Sequence, residues 1–157
     1  MPKRSAGILM YRRRPADGLE LLLVHPGGPF WAKKDLGAWS IPKGEYADGE
    51  EPLAVARREF EEETGMRVAG DFAPLGEIVA PGRKIVTAFA LEGDFDPATL
   101  RSNAFELEWP PKSGRRQSFP EIDRAQWFAP GEARRKILAG QSELIGRLLA
   151  MLGIAPC

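Results

Sequence analysis

The chain has 157 residues, 43% hydrophobic and 28% charged, which suits one domain spanning 1–157 with a real core. Its 22 Lys and Arg balance 22 Asp and Glu, so no global basic field recruits DNA, RNA or an acidic membrane, and a partner must be recognised by a local site. The one cysteine, Cys157, excludes an internal disulfide and a Cys-rich zinc site; with no signal-length apolar run after Met1–Gly7 and no stretch of about 20 apolar residues, a cytoplasmic protein is expected.

In chain order, residues 5–11 and 19–25 read as strands, and Asp17-Gly18 between them is a hairpin signal. A Gly/Pro-rich loop, Pro26-Gly27-Gly28-Pro29, follows and runs into Phe30, Trp31 and two lysines. Residues 39–42 suggest a short strand ending at proline. A helix is predicted from about Glu51 to Thr64: Pro52 suits its first turn, acidic residues gather at that end, and Gly65 suits the left-handed position beyond it. Strands are expected at 74–80, 84–91 and 123–128. The segment 101–120 reads as an irregular loop of functional length. From Pro130 to Leu152 one or two helices are expected, broken near Gly140, with Leu144, Ile145, Leu148, Leu149 and Leu152 forming a buried face. Strands and helices without a regular βαβ alternation point to an α+β or sandwich arrangement.

The chemistry concentrates on the helix at 51–64. At about 100° per residue, Glu59 and Glu63 lie about 40° apart, and Glu62 about 60° from Glu59. Three carboxylates thus share one stripe beside an apolar stripe of Leu53, Ala56 and Phe60. Like charges at this spacing repel, and a hard divalent cation is the natural compensation. Arg58, four residues before Glu62, is placed to pair with it.

The stretch Gly44 to Met66 resembles the Nudix box, with every fixed position of that 23-residue pattern filled. The resemblance implies an α/β/α sandwich with a mixed β-sheet and hydrolysis of a phosphoanhydride bond. It implies Glu59, Glu62 and Glu63 as ligands of Mg²⁺ or Mn²⁺, with an oxygen from the Gly44 carbonyl, and Glu50 and Arg58 as braces. The general base is then a box glutamate or a carboxylate on a distant loop. Glu121 is the distal candidate, ahead of Glu106 and Glu108. His25, the only histidine, is assigned a structural or surface role.

The lead-in Trp39-Ser40-Ile41-Pro42-Lys43-Gly44 resembles that of Nudix enzymes acting on diadenosine polyphosphates, as does the start Ser5-Ala6-Gly7. Lys43 and Lys84 are expected on phosphate, and Trp39 either stacks on a base or belongs to the core. The basic loop Lys112–Arg116 is a further candidate for the polyphosphate chain. A nucleotide-type small molecule is the expected partner, and a dinucleoside polyphosphate such as diadenosine tetraphosphate the favoured substrate. The same lead-in occurs in relatives that cleave inositol polyphosphates or RNA 5′ ends, and oxidised dGTP-type triphosphates remain compatible. A non-catalytic nucleotide sensor is disfavoured because no box carboxylate is lost.

Overall fold

The computed structural model describes residues 2–15 and 18–154. Among these residues eight strands are formed: β1 (Lys3–Arg14), β2 (Gly18–Pro26), β3 (Lys43–Tyr46), β4 (Ala73–Ala80), β5 (Lys84–Glu92), β6 (Ala104–Glu108), β7 (Arg116–Pro120) and β8 (Ile122–Phe128). Three α-helices accompany them among the described residues: α1 (Pro52–Thr64), α2 (Pro130–Lys136) and α3 (Ser142–Met151). The main sheet runs β4-β5-β1-β2-β8, with β3 also paired to β1. The β1–β5 pairing is parallel and the others are antiparallel, so the sheet is mixed.

Both faces of this sheet are covered, and the sequence shows why. In β1 and β2 the apolar residues run without interruption, the pattern of strands buried on both sides. Successive side chains point to opposite faces. Leu9, Tyr11, Leu21 and Leu23 join one core with Ile137, Leu144, Ile145 and Leu148 from the C-terminal segments. Ile8, Met10, Leu22 and Val24 join the other with Val55, Ala56 and Phe60 of α1. The layers are therefore α1, sheet, and α2 with α3. The stripe α1 buries is Val55, Ala56, Phe60 and Thr64, slightly rotated from the expected one, and Leu53 is only half-buried.

One edge of β1 positions the site. Its first half, Arg4–Gly7, pairs with β3, and its second half, Tyr11–Arg14, pairs with β2. Between the two partners the chain at 39–42 bridges the gap: Ser40 and Val24 exchange backbone hydrogen bonds, and the Ile8 N–H donates to the Pro42 carbonyl (3.1 Å). The short strand expected at 39–42 is thus only isolated bridges at Trp39 and Ser40, and regular pairing starts after Pro42, at Lys43. The β1–β2 hairpin forms with Arg14 opposite Gly18, while Asp17 and Cys157 lie outside the described residues.

The segment 101–120 corrects the sequence reading, because most of it is a hairpin. β6 and β7 pair from Ala104 opposite Pro120 to Glu108 opposite Arg116. β6 alternates half-buried Phe105 and Leu107 with exposed Glu106 and Glu108 but is only five residues long, and β7 is exposed except at Phe119. The half-buried Phe105, Leu107 and Phe119 share one face only once the two strands are paired.

α1 begins with Glu51, whose carboxylate accepts the Ala54 N–H (3.2 Å), and ends at Gly65 with φ 86°. A Cβ on Gly65 would also lie 2.8 Å from Arg101 Cβ. Gly65→Ala is expected to lower the unfolding free energy by about 1–2 kcal/mol from the left-handed backbone alone, read as a lower denaturant midpoint at unchanged slope.

Candidate active site

The carboxylates of α1 differ in their surroundings. Glu61 is exposed and pairs with Arg67 at 3.7 Å, an ordinary solvated acid. Glu59, Glu62 and Glu63 are half-buried at the face turned toward β3. Glu63 Oε1 accepts the Lys43 N–H at 3.3 Å. Glu59 lies directly over Gly44: a Cβ built there would sit 1.8 Å from Glu59 Oε1. A side chain at Gly44 would therefore displace the Glu59 carboxylate from its place over β3.

Burial pushes the Glu63 carboxyl up to about 8, and the nearby charges of Glu59 and Glu121 add to the effect. Burial likewise pushes Glu59 up to about 7, helped by a hydrogen bond and repulsion from Glu62 and opposed by Arg58. Two acids held in this state are poorly solvated when ionised, and a cation is the direct remedy.

Arg58 does not pair with Glu62 as its spacing suggested. Its guanidinium donates to Glu50 Oε2 (3.0 Å) and comes within 3.8 Å of Glu59 Oε2. Helical side chains tilt toward the N-terminus, which carries Arg58 away from Glu62 and toward the loop before the helix. Glu50 also accepts the Ala47 N–H (3.3 Å) and, with Arg58 as the main cause, is held below the usual carboxylate range. Glu50 and Arg58 thus brace the loop and Glu59 together.

Glu121, the single residue between β7 and β8, is brought to the same place from far along the chain. Its N–H donates to the Asn103 carbonyl and its carbonyl accepts the Gly27 N–H, both at 2.8 Å. The Asn103 N–H in turn donates to the Glu62 carbonyl (2.9 Å). The end of α1, the base of the hairpin and the loop after β2 are tied at this one residue. The Glu121 side chain lines, with Lys43 and Glu63, a cleft of about 310 Å³ walled by Trp31, Val24 and Ile122. Lys43 also borders a second cleft of about 410 Å³ with Lys84, Ser5 and Gln141.

The other sequence candidates are placed elsewhere. Trp39 is 1% exposed, with its ring edge-on to His25 and Phe128 and its Nε1–H donated to Asp35 (2.9 Å). No face is open to a base, so Trp39 is a core residue. His25 is fully buried: Nε2 donates to the Lys34 carbonyl (2.6 Å) and Nδ1 meets Asp123 (2.8 Å). Glu106 and Glu108 face solvent on β6, and the Lys112–Arg116 segment is exposed at the hairpin tip; none of them lines either cleft. Sequence reasoning passed over Gln141, a buried amide that accepts the Ile41 N–H (3.0 Å) and donates to Ser40 Oγ (3.0 Å). Standing alone between Gly140 and Ser142, it carries no periodic signal. Trp31 also lines the cleft, and its aromatic type next to a Gly/Pro-rich segment is the one sequence sign of it.

A family model described as NUDIX domain matches residues 1–148. The chain belongs to the Nudix family. An octanoyltransferase of Myxococcus xanthus is 30% identical over 147 residues, 93% of this chain and 33% of that protein. An RNA pyrophosphohydrolase of Bartonella bacilliformis is 62% identical over 65 residues, 41% of this chain and 37% of that protein. The chain thus spans about a third of the length of these curated relatives. Among solved structures, a C. elegans Ap4A hydrolase complex aligns with TM-score 0.65 at 20% identity, covering 95% of this chain and 98% of that one. The NUDIX domain of Shewanella oneidensis NrtR, complexed with ADP ribose, aligns with TM-score 0.66 at 14% identity, covering 97% and 89%. At these identities the likeness is one of fold.

Nudix hydrolases generally use divalent metal ions, and the acids here fit such an ion in part. Glu59 and Glu63 are half-buried acids that a cation would stabilise. Among the described residues, no three acidic, His or Cys side chains close into a ready cage.

Both acids bind protons more tightly folded than at the ordinary 4.5, so metal-free stability should fall as pH rises from about 4.5 through about 8. A divalent ion must displace those protons. Its thermal stabilisation of the protein should therefore be larger at pH 8.5 than at pH 6; an equal shift at both would show that these acids do not bind it. Gly44→Ala, which displaces the Glu59 carboxylate, is expected to weaken divalent-ion binding about 10- to 100-fold, measured by calorimetric titration.

Proposed function

We propose that the chain is a divalent-metal pyrophosphohydrolase that cleaves a phosphoanhydride bond in a nucleoside diphosphate-linked substrate, with a dinucleoside polyphosphate such as diadenosine tetraphosphate favoured. The observation that carries this reading is the convergence of Glu63, Glu121 and Lys43 on one cleft beside the half-buried Glu59. Glu59, Glu62 and Glu63, with the Gly44 carbonyl, would hold Mg²⁺ or Mn²⁺, which when bound supplies charge neutralisation along the phosphate chain.

The protein groups then have distinct tasks. Lys43, and Lys84 across the second cleft, meet phosphate oxygens as point charges. Because Lys43 borders both clefts, an extended polyphosphate passing over it would place its two ends in different cavities, which favours a dinucleotide over a mononucleotide. Glu121 takes a proton from the attacking water as the new phosphorus–oxygen bond forms and the bridging oxygen leaves with the departing phosphate. Its backbone bonds to Asn103 and Gly27 hold it in position for this. The fold likeness to an Ap4A hydrolase is compatible with this reading.

The Bartonella relative favours a second reading, removal of pyrophosphate from triphosphorylated RNA. The balanced charge of the chain offers no RNA-wide electrostatic track.

Purified protein with Mg²⁺ or Mn²⁺ should release ATP or AMP from diadenosine tetraphosphate faster than pyrophosphate from triphosphorylated RNA, resolved by chromatography, and the reverse order would install the second reading. Glu63→Gln should abolish turnover while keeping a cooperative unfolding transition. Glu121→Gln should lower kcat by about 10²- to 10⁴-fold with little change in metal affinity; full activity in that variant would move the base elsewhere.

A further inference from the structure

The burial of Trp39 leaves the lead-in motif without a base-stacking residue. Trp127 is 9% exposed and donates its Nε1–H to the Phe95 carbonyl (2.8 Å). Trp109 packs edge-on against Phe30, ring centroids 5.3 Å apart. Of the residues lining the cleft that holds Glu63, Glu121 and Lys43, Trp31 alone is aromatic.

Resting on the hydrolase reading above, we infer that Trp31 is the platform on which this cleft stacks the base of a nucleoside phosphate. Three observations support it. First, the cleft joins an aromatic and aliphatic wall to a small set of charged groups, the composition of a site for a flat apolar ring bearing phosphate. Its volume of about 310 Å³ suits one nucleoside moiety better than two. Second, Trp31 is half-buried, so its ring is supported by the core yet reachable from the cleft.

Third, the loop that carries it is fastened on several sides. The Trp31 carbonyl accepts the Lys34 N–H (2.9 Å), and the Lys34 carbonyl is held by buried His25. Gly37 and Trp39 donate backbone N–H groups to Arg135 and Lys136, and Asp35 pairs with Lys136. A platform already held in place loses less freedom when a ligand arrives. The sole histidine thereby acquires a task, as the pin of this loop. Lys34 Nζ lies 5.0 Å from the Trp31 ring centroid and is exposed. Such an exposed cation–π contact is weaker than base–aromatic stacking, so a base would displace it.

The test compares AMP with ribose 5-phosphate, which share the phosphate and sugar and differ by the base, on the metal-loaded full chain by calorimetric titration. Wild-type protein should bind AMP more tightly, and Trp31→Ala and Trp31→Leu should each lose about 5- to 150-fold in AMP affinity with ribose 5-phosphate unaffected. Trp31→Phe should recover much of the loss. The leucine variant keeps the apolar packing without a π face, so it carries the test where the alanine variant unfolds. AMP binding in Trp31→Leu equal to wild type, or a wild type that does not prefer AMP, overturns the inference. Turnover of diadenosine tetraphosphate with unchanged KM in Trp31→Leu would overturn it while sparing the hydrolase reading. Trp31-dependent AMP binding without turnover of any phosphoanhydride would uphold the base site and reject the hydrolase.

Discussion

Two carboxyl groups that are costly to ionise sit side by side on α1, and much of the surrounding structure is arranged to keep them there. Burial raises both Glu59 and Glu63, and each sits near further acids. A helix gains nothing from such a pair, because like charges along one face repel. Retaining them makes physical sense where a cation and a polyphosphate complete the local charge balance.

The neighbours follow from that constraint. Gly44 has no Cβ because the Glu59 carboxylate occupies the space. Glu50 and Arg58 form an exposed pair worth little for stability by itself; its consequence is positional, since Arg58 also reaches Glu59. Upstream, Gln141 grips Ile41 and Ser40, so the segment entering β3 is fixed by a residue from the far side of the sheet. Downstream, Glu121 is held by backbone bonds that reach both α1 and the loop carrying Trp31. Residues separated by most of the chain thus meet at one cleft, with Gln141 acting through its side-chain amide and Glu121 held through its backbone.

The box and its helix were legible because their determinants are local. Pro52, Gly65 and the spacing of Glu59, Glu62 and Glu63 each act within a few turns of chain, and the structure keeps all of them in place. The doubly buried strands were legible as uninterrupted apolar runs. The β6–β7 hairpin was not: β6 shows only a five-residue alternation of Phe105 and Leu107 with Glu106 and Glu108, its partner β7 is polar apart from Phe119 and Pro120, and pairing alone joins them. Arg58 was misassigned for a different reason: sequence spacing allows pairing in either direction along a helix, and the tilt of the side chain chooses one.

What the sequence by itself determined is the family, the acidic helical face and the residues that shape it, because a fixed spacing on one helix dictates geometry without help from the rest of the chain. The tertiary structure decided which aromatic and which distant acid reach that face. Trp39 and Trp31 are close in sequence, yet the sheet gap at 39–42 turns Trp39 into the core and leaves Trp31 on the cleft wall. Glu121 and Glu108 are both acids of the same hairpin segment, and only the one at the strand junction, tied to Asn103 and Gly27, enters the cleft. Such choices depend on strand order and backbone pairing across long separations, which no local pattern encodes.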